Sequence, residues 1–388
     1  MGRRYLIVGR KKAPALPKEH FQLKIDTRQT STGLNGITST FLLPTTQPYS
    51  YDWVVDFGDG TTQRLIGTGG TAGTANTANL DGVPYTHTYS EPGEYVITIT
   101  PFDKEQPGWF RAFGFGGSAS SSGSGVVDNR NKMVAPLSPF TVQMFGNADG
   151  TGMYGTEGAS SIGYGMFSVC CGLNFHIGES CLFVPEWDLI QAPSFFLQRM
   201  FSASSLKEVP VTFKLPSFLT TYYWNGYLYE AFQECKQLTA VNTSMPPFVS
   251  GNSVLRSTFK DCTALQSLSV EFNLNKCVWS SNSYEGNVFN STFSGCPNLV
   301  LPAGFSLPMA SQTRLNQANF MYRMFYSNLN QTWTQPSGDV SQILGSMASM
   351  TPVTSTQAFR TGADLANSQA NGASRWGSGF NTLNANWQ

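Results

Sequence analysis

The stretch AFQECKQL, residues 231–238, contains the pattern that decides the fold of the second half of the chain. Its elements are a Phe, a Cys three residues later and a Leu three residues after the Cys. Related stretches are MFSVCCGL, MFSASSL, TFKDCTAL, TFSGCPNL, MFYSNL and AFRTGADL, which begin at Met166, Met200, Thr258, Thr292, Met324 and Ala358. Such a recurrence indicates a repeat protein.

The aromatic residue of each stretch sets the length of the repeat. These residues are Phe167, Phe201, Phe232, Phe259, Phe293, Phe325 and Phe359, separated by 34, 31, 27, 34, 32 and 34 residues. A unit of this length cannot bury an apolar face alone, so successive units must stack on one another. The sequence therefore predicts a solenoid.

The local pattern around each Phe predicts the structure of one repeat. Most units have a second apolar residue four positions before the Phe, such as Leu228 and Leu255. The apolar spacing i, i+3, i+4, i+7 is typical of a short helix with one buried face. Segments such as LVLPAGFSLP (299–308) then resemble a short strand that ends at a proline. We expect each repeat to contain a helix, a turn, a strand and a loop.

This repeat resembles the BspA-type leucine-rich repeats of bacterial, protist and phage surface proteins, whose units read approximately MFxxCxxLxxLxLP. The resemblance covers residues 164–366 and implies an α/β leucine-rich-repeat solenoid. It also implies a function, since the members of this family that are understood are mostly adhesins that bind host proteins or other cells.

Cysteine recurs at one position of the repeat, at Cys170, Cys235, Cys262 and Cys296, where the remaining units have Ser, Asn or Gly. We interpret it as a small buried side chain. Neighbouring helices of a solenoid lie about 8–10 Å apart, which exceeds the Cα separation of about 7 Å that a disulfide allows. The seven cysteines are also an odd number, which disfavours a complete disulfide framework.

The first half of the chain has the pattern of a small β-sheet protein. FQLKID (21–26), YDWVVDFG (51–58) and EYVITITP (94–101) are short runs of mixed apolar and polar residues bounded by Pro, Gly and Asp. A run rich in Gly, Ser and Ala at 112–132 is typical of a flexible linker. The predicted domains are a basic N-terminal arm (1–19), a β-sandwich (20–111), the linker (112–132) and the repeats with a C-terminal cap (133–388).

Two segments within the first half, WVVDFGDGT (53–61) and YTHTYSEPGEYVITI (85–99), resemble the signature segments of the polycystic kidney disease (PKD) domain. Asp59-Gly60 can form a turn that requires a positive φ angle. The resemblance implies an immunoglobulin-like sandwich that acts as a spacer or a weak binding module, with His87 as a structural residue.

The sequence shows no motif for catalysis. It lacks a Gly-x-Ser-x-Gly turn, a His-Glu-x-x-His pair and a phosphate-binding loop, so we predict no enzymatic activity and no cofactor. Cys170, Cys171, His176 and Cys181 have side chains that could bind zinc, but their spacing matches no standard zinc motif. The alternative of a zinc site stays open.

Composition restricts the partners. Charged residues make up 12% of the chain, and 24 basic residues balance 24 acidic ones, which disfavours a nucleic-acid partner. No apolar run approaches the 18 or so residues that span a bilayer. We therefore predict neither nucleic-acid binding nor membrane insertion.

Loop aromatics are the candidate ligand-binding residues. They are Tyr222, Tyr223 and Trp224 in one loop, and Trp279 and Tyr284 in another. Large rigid rings in a loop suit contact with a sugar or a partner protein. The alternative is that they cover the edge of the solenoid or contact an adjacent subunit.

These patterns lead to two functional hypotheses. The first is an adhesive or receptor-binding protein that contacts a host surface protein or glycan; the second is a structural fibre or decoration subunit that contacts other copies. Neither end resembles an export signal or a sorting tail, which favours a phage virion over a bacterial cell surface or an extracellular setting. The basic arm would then contact other virion or surface subunits.

Overall fold

The computed structural model describes residues 20–28, 39–43, 50–68, 86–102, 132–137, 197–211, 213, 215, 226–249, 251–279, 286–315, 319–326, 338–350, 357–359, 375–383, 385, 387 and 388. Its N-terminal part contains two antiparallel sheets. The strands are β1 (Phe21–Asp26), β2 (Thr40–Leu42), β3 (Ser50–Asp56), β4 (Thr62–Thr68), β5 (Thr86–Thr88), β6 (Glu94–Pro101) and β7 (Met133–Pro136). One sheet has the order β4-β3-β6-β1-β7, and the other pairs β2 with β5.

Alternating side chains of these strands form the core of the N-terminal sheets. In β1, Phe21, Leu23 and Ile25 are buried, as period-two patterning requires of a strand with one face inward. Trp53 of β3 is fully buried, and Phe41 of β2 contributes from the smaller sheet. The apolar residues whose alternation predicts the strands therefore face the core.

The DFGDG turn joins β3 to β4. The Phe57 amide donates to the Thr61 carbonyl (3.1 Å), and Asp59 Oδ1 accepts from the Thr61 amide (3.0 Å). Gly58 and Gly60 have φ angles of 82° and 88°, a region that favours glycine. The turn identified in the sequence thus depends on two glycines.

His87 packs against this turn. Its ring stacks on Phe57 with centroids 4.0 Å apart, and its Nε2 lies 2.7 Å from Asp59 Oδ2. Burial opposes ionisation of Asp59, yet hydrogen bonds from Thr61 and His87 outweigh it and lower the pKa of that carboxyl to about 2. These contacts are those of a residue that stabilises a turn.

The predicted boundary of the repeats at residue 133 needs correction. Met133–Pro136 forms β7, the edge strand that pairs with β1. The side chain of Lys132 is buried, and its Nζ donates to the Thr40 carbonyl (2.6 Å). The N-terminal sheets therefore include chain from beyond the linker, a non-local pairing that composition does not reveal.

The repeat region contains very short regular elements. Its strands are β8 (Glu208–Val209), β9 (Ala240–Val241), β10 (Phe248–Val249), β11 (Ser267–Leu268) and β12 (Cys277–Val278). Its helices are α1 (Gln312–Leu315) and α2 (Val340–Leu344), with 3₁₀ turns at Leu274–Lys276, Gly345–Ser349 and Ser378–Thr382. Strands from successive repeats pair in parallel, in the order β11-β9-β8, and β10 pairs with β12.

The predicted helix around each Phe is wrong for the residues that the structure describes. Five stretches that we call the turn segments are series of consecutive i to i+3 turns, and they cover residues 197–204, 226–235, 252–262, 286–296 and 319–326. In the third segment Ser253, Ser257 and Asp261 have positive φ angles, one residue in every four. Positive φ is unfavourable for most residues with a side chain, and its regular recurrence interrupts an α-helix.

Hydrogen bonds of the third segment explain this outcome. The Thr258 amide donates within the segment to Leu255 (3.3 Å), whereas the Phe259 amide donates to Thr292 of the next segment (2.9 Å). Alternate amides thus bond within a segment and across to the next one. Stacking provides hydrogen-bond partners for backbone groups that would bond within the segment in an α-helix. The apolar residues nevertheless keep the spacing that predicted a helix.

The repeated Phe side chains form one continuous stack. Adjacent rings among Phe201, Phe232, Phe259, Phe293, Phe325 and Phe359 have centroids 5.2 to 5.5 Å apart, with interplanar angles of 5° to 22°. All six rings are buried. Near the C-terminus, the Trp376 ring packs on Phe325 and Phe359, with centroid separations of 5.3 and 5.2 Å.

Arg375 attaches the C-terminal residues to the fourth turn segment and the residue that follows it. Its Nη1 donates to the Pro297 carbonyl (3.0 Å) and its Nη2 to the Cys296 carbonyl (3.4 Å). Burial lowers the pKa of this guanidinium to about 9.

Candidate functional site

The repeated cysteines have a structural environment. The Sγ atoms of Cys235, Cys262 and Cys296 each donate to the carbonyl of the preceding repeat's Phe at 3.0 Å. All three thiols are buried and free. The prediction that helix spacing keeps neighbouring cysteines apart is wrong, because adjacent turn segments hydrogen-bond directly to each other. The prediction that this position needs only a small side chain is incomplete, because the thiol also donates a hydrogen bond.

We expect these three thiols to resist alkylation. Burial raises the pKa of Cys235 to about 12 and raises those of Cys262 and Cys296 as well, so almost no reactive thiolate exists at pH 8. Iodoacetamide labelling, read by peptide mass spectrometry, should modify these positions in urea and leave them unmodified in the folded chain. Equal labelling rates in both conditions would contradict a buried ladder of thiols.

Trp279 is part of the packing between repeats. Its Nε1 donates to the Met309 carbonyl (2.5 Å), and its ring lies 5.2 Å from that of Phe320 and 6.3 Å from that of Phe289. These contacts favour the alternative that it covers the edge of the stack. The other ligand-binding candidates, Tyr222, Tyr223, Trp224 and Tyr284, lie outside the described residues.

Other predicted features also fall outside the part of the chain that the structure describes. They are the arm (1–19), the linker except for its last residue, Phe167, and the possible zinc ligands Cys170, Cys171, His176 and Cys181. Among the described residues, no group of three or more His, Cys, Asp or Glu side chains could hold a metal ion. No helix in the described ranges has the length and apolar character needed to cross a membrane.

The outward side of the turn segments presents a set of partly exposed arginine and tyrosine side chains. We call it the arginine–tyrosine surface, and it consists of Tyr229, Arg256, Tyr322, Arg323 and Tyr326. Tyr229, Arg256 and Tyr322 share one position, three residues before the repeated Phe. This position is visible in the sequence when the repeats are aligned on their Phe residues, but it lies within the turn segments and not in the loops that contain the predicted binding aromatics.

Arg256 of the third segment lies against Tyr229 of the second. Its guanidinium carbon is 5.2 Å from the centre of the tyrosine ring, within the range of a cation–π contact. Partial burial and the nearby carboxylate of Glu230 raise the pKa of the Tyr229 hydroxyl, so this hydroxyl is neutral and can donate a hydrogen bond.

Arg323 contacts two tyrosines of its own segment. Its guanidinium carbon lies 4.9 Å from the ring centre of Tyr322 and 4.7 Å from that of Tyr326. Its Nε donates to Gln357 Oε1 (3.1 Å) in the next repeat. Aromatic contacts and this bond fix the position of the guanidinium at the surface.

The exposed apolar side chains of the described repeat region lie outside the turn segments. Val211, Val270, Val278 and Met309 are exposed, with Val270 at 63% and Met309 at 70%. All four lie between turn segments along the chain, and no exposed large apolar side chain lies in the described turn segments. The two kinds of side chain are therefore separated along each repeat.

Comparison with known proteins adds no relative to this picture. No protein-family model, curated protein or solved structure matched the chain.

Proposed function

We propose that this chain is a non-enzymatic, surface-displayed recognition protein that contacts a host surface protein or glycan, in the setting of a phage virion. The observation that supports it is the use of the repeated residues. The Phe rings and thiols pack between repeats, and the outward side of the turn segments carries arginine and tyrosine side chains that contact one another. Repeats that stack in this way provide an extended surface suited to binding.

A binding assay on the full chain tests this proposal. Fluorescently labelled protein would be titrated onto intact host cells and onto an array of neutral and acidic glycans. Saturable binding to either is the expected result. Absence of binding to every cell and every glycan would overturn the recognition function.

Two sets of substitutions would locate the binding residues. One replaces Tyr222, Tyr223 and Trp224 with alanine, and the other replaces Tyr229 and Tyr322 with alanine. A loss of binding in the second set alone places recognition on the turn segments, and a loss in the first set alone places it in the loop. Unchanged thermal unfolding serves as the control for folding.

The exposed apolar residues favour a second candidate function, a structural subunit whose repeats contact other copies. Val270 and Met309 are each more than 60% exposed, so their apolar side chains are available for contact between copies. Sedimentation of the full chain, compared with a Val270→Ser, Met309→Ser variant, tests it. Self-association that the variant abolishes would favour a structural role, and a monomer at all concentrations would exclude it.

A further inference from the structure

We propose that the arginine–tyrosine surface docks a protein partner through carboxylate side chains that the partner presents. This inference rests on the proposed recognition function and specifies its partner. It selects a protein over a glycan, and it places the contact on the outward side of the turn segments.

The residue types of this surface point to a protein. Its members are three tyrosines and two arginines, all of them partly exposed. Tyrosine and arginine, with tryptophan, are the side chains enriched among the residues that contribute most to binding in protein interfaces. A tyrosine offers a large rigid contact area, and an arginine offers a planar group with several donors. The surface therefore has the anchors that protein interfaces use.

The charges of the surface point to carboxylates on the partner. Within the described residues, neither Arg256 nor Arg323 forms a salt bridge, whereas Arg199 of the first turn segment pairs with Glu230 of the second. Two positive groups of the surface thus have no opposite charge from the described chain. Opposite charge on a partner raises the rate of association and fixes the register of docking.

The aromatic contacts hold both arginines in place before a partner binds. The Arg256 guanidinium lies against the ring of Tyr229, and the Arg323 guanidinium lies against the rings of Tyr322 and Tyr326. Side chains restricted in this way lose less conformational freedom on association. The same contacts occupy one face of each tyrosine ring, a surface on which a sugar ring would otherwise stack.

Gln357 determines which atoms of Arg323 are left for a partner. Gln357 Oε1 accepts a hydrogen bond from the Arg323 Nε (3.1 Å), so the two terminal nitrogens of the guanidinium remain for a ligand. A pair of parallel N–H groups matches the two oxygens of a carboxylate. An Asp or Glu side chain of the partner fits this geometry.

The two arginines are close enough for one partner to contact both. Arg256 and Tyr322 occupy the same position of the third and fifth turn segments, and Arg323 follows Tyr322 in the chain. Adjacent segments are joined by backbone hydrogen bonds, as strands are, so two steps correspond to about 10 Å. A typical protein interface covers about 800 Å² of each partner, roughly 30 Å across, and would include both groups.

Chemical treatment of host cells tests the class of the partner. The labelled full chain is titrated onto untreated cells and onto three treated samples. The first is digested with a protease, the second has its surface glycans oxidised with periodate, and the third has its surface carboxylates amidated with a carbodiimide and glycinamide. We expect protease and amidation each to reduce saturable binding about tenfold or more, since hydrogen bonds to charged groups contribute that much, and periodate to leave it unchanged.

Variants assign this binding to residues. Arg256→Gln with Arg323→Gln should weaken binding to untreated cells about tenfold or more. Lys260→Gln removes a positive charge from the same turn segment as Arg256, but Lys260 already lies 3.9 Å from the carboxylate of Asp261. It is the matched control and should change binding less than about twofold. Unchanged thermal unfolding shows that each variant is folded, and the amidation experiment tests the carboxylates without any change to the chain.

Four results would overturn the inference and leave recognition standing. Binding that periodate abolishes and protease does not would indicate a glycan, and binding insensitive to amidation would exclude carboxylates. Binding that survives the double arginine substitution would place the contact elsewhere. Self-association in sedimentation that the same substitution abolishes would assign the surface to a second copy of the chain. Failure to bind any untreated cell or glycan would overturn the recognition function as well.

Discussion

Replacing Phe259 with alanine should lower the free energy of unfolding of the repeat region by about 3–5 kcal/mol. The ring is fully buried and stacks on Phe232 and Phe293, with centroid distances of 5.3 and 5.5 Å. Its removal leaves a cavity in the middle of the stack and removes the ring contacts with Phe232 and Phe293. Urea unfolding followed by circular dichroism would measure the loss.

A matched control for this substitution is Val270→Ala. Val270 is 63% exposed in the same repeat, so its truncation should change the free energy of unfolding by less than about 0.5 kcal/mol. If Phe259→Ala were as mild as this control, the Phe residues would not form the stack that joins the repeats.

Replacing Gly58 with alanine should destabilise the N-terminal sheets by about 3 kcal/mol or more. A Cβ at this position would lie 2.5 Å from the Val96 carbonyl oxygen and 3.1 Å from the Val96 nitrogen. These are backbone atoms of β6, which is paired with β1 at Val96 and cannot move aside cheaply. The φ angle of 82° adds the cost of a left-handed conformation.

Gly60→Ala separates the two causes. Gly60 has a φ angle of 88°, but no atom lies within 4 Å of the position its Cβ would take. Alanine there should cost only the conformational term, about 1 kcal/mol. Thermal unfolding of both variants measures the difference, and equal losses would mean that the close approach to β6 is absent.

The N-terminal sheets were largely predictable because their signals are local. Alternation in FQLKID and the Asp59-Gly60 turn predicted a strand and a tight turn, and the structure has β1 and the turn between β3 and β4. The addition of β7 was not predictable, since strand pairing over more than 100 residues leaves no local pattern. The burial of β7 depends on partner strands that only the folded chain brings together.

The repeat period was evident from sequence, but the conformation of the repeat was not. Apolar residues at Leu255 and Phe259 are buried on one side, which an α-helix and a series of turns both achieve. The residues that separate the two conformations are Ser253, Ser257 and Asp261, which have positive φ angles. Such residues are only weak helix breakers by propensity, and hydrogen bonds to the next repeat decide the outcome.

The candidate binding residues were likewise not predictable from local sequence pattern. Trp279 was selected as a loop aromatic, yet its ring packs on Phe289 and Phe320 of the following repeats. The contact between Arg256 and Tyr229 depends on direct bonding between turn segments. Helices 8–10 Å apart would not have predicted this contact.

Direct hydrogen bonds between turn segments hold adjacent repeats together, and disulfide trapping tests this pairing. Ser257 and Ser291 occupy the same position in adjacent segments, and the Ser257 amide donates to Asn290 at 2.8 Å. Hydrogen-bonded segments lie about 5 Å apart, which is within the Cα separation that a disulfide allows, whereas packed helices lie too far apart. A Ser257→Cys, Arg323→Cys pair spans two segments and serves as the control.

We predict that Ser257→Cys with Ser291→Cys forms a disulfide under mild oxidation, seen as a linked peptide pair by mass spectrometry, and that the control pair does not. Direct bonding between turn segments would be contradicted if the adjacent pair did not form a disulfide although both of its thiols accepted a label in the folded protein.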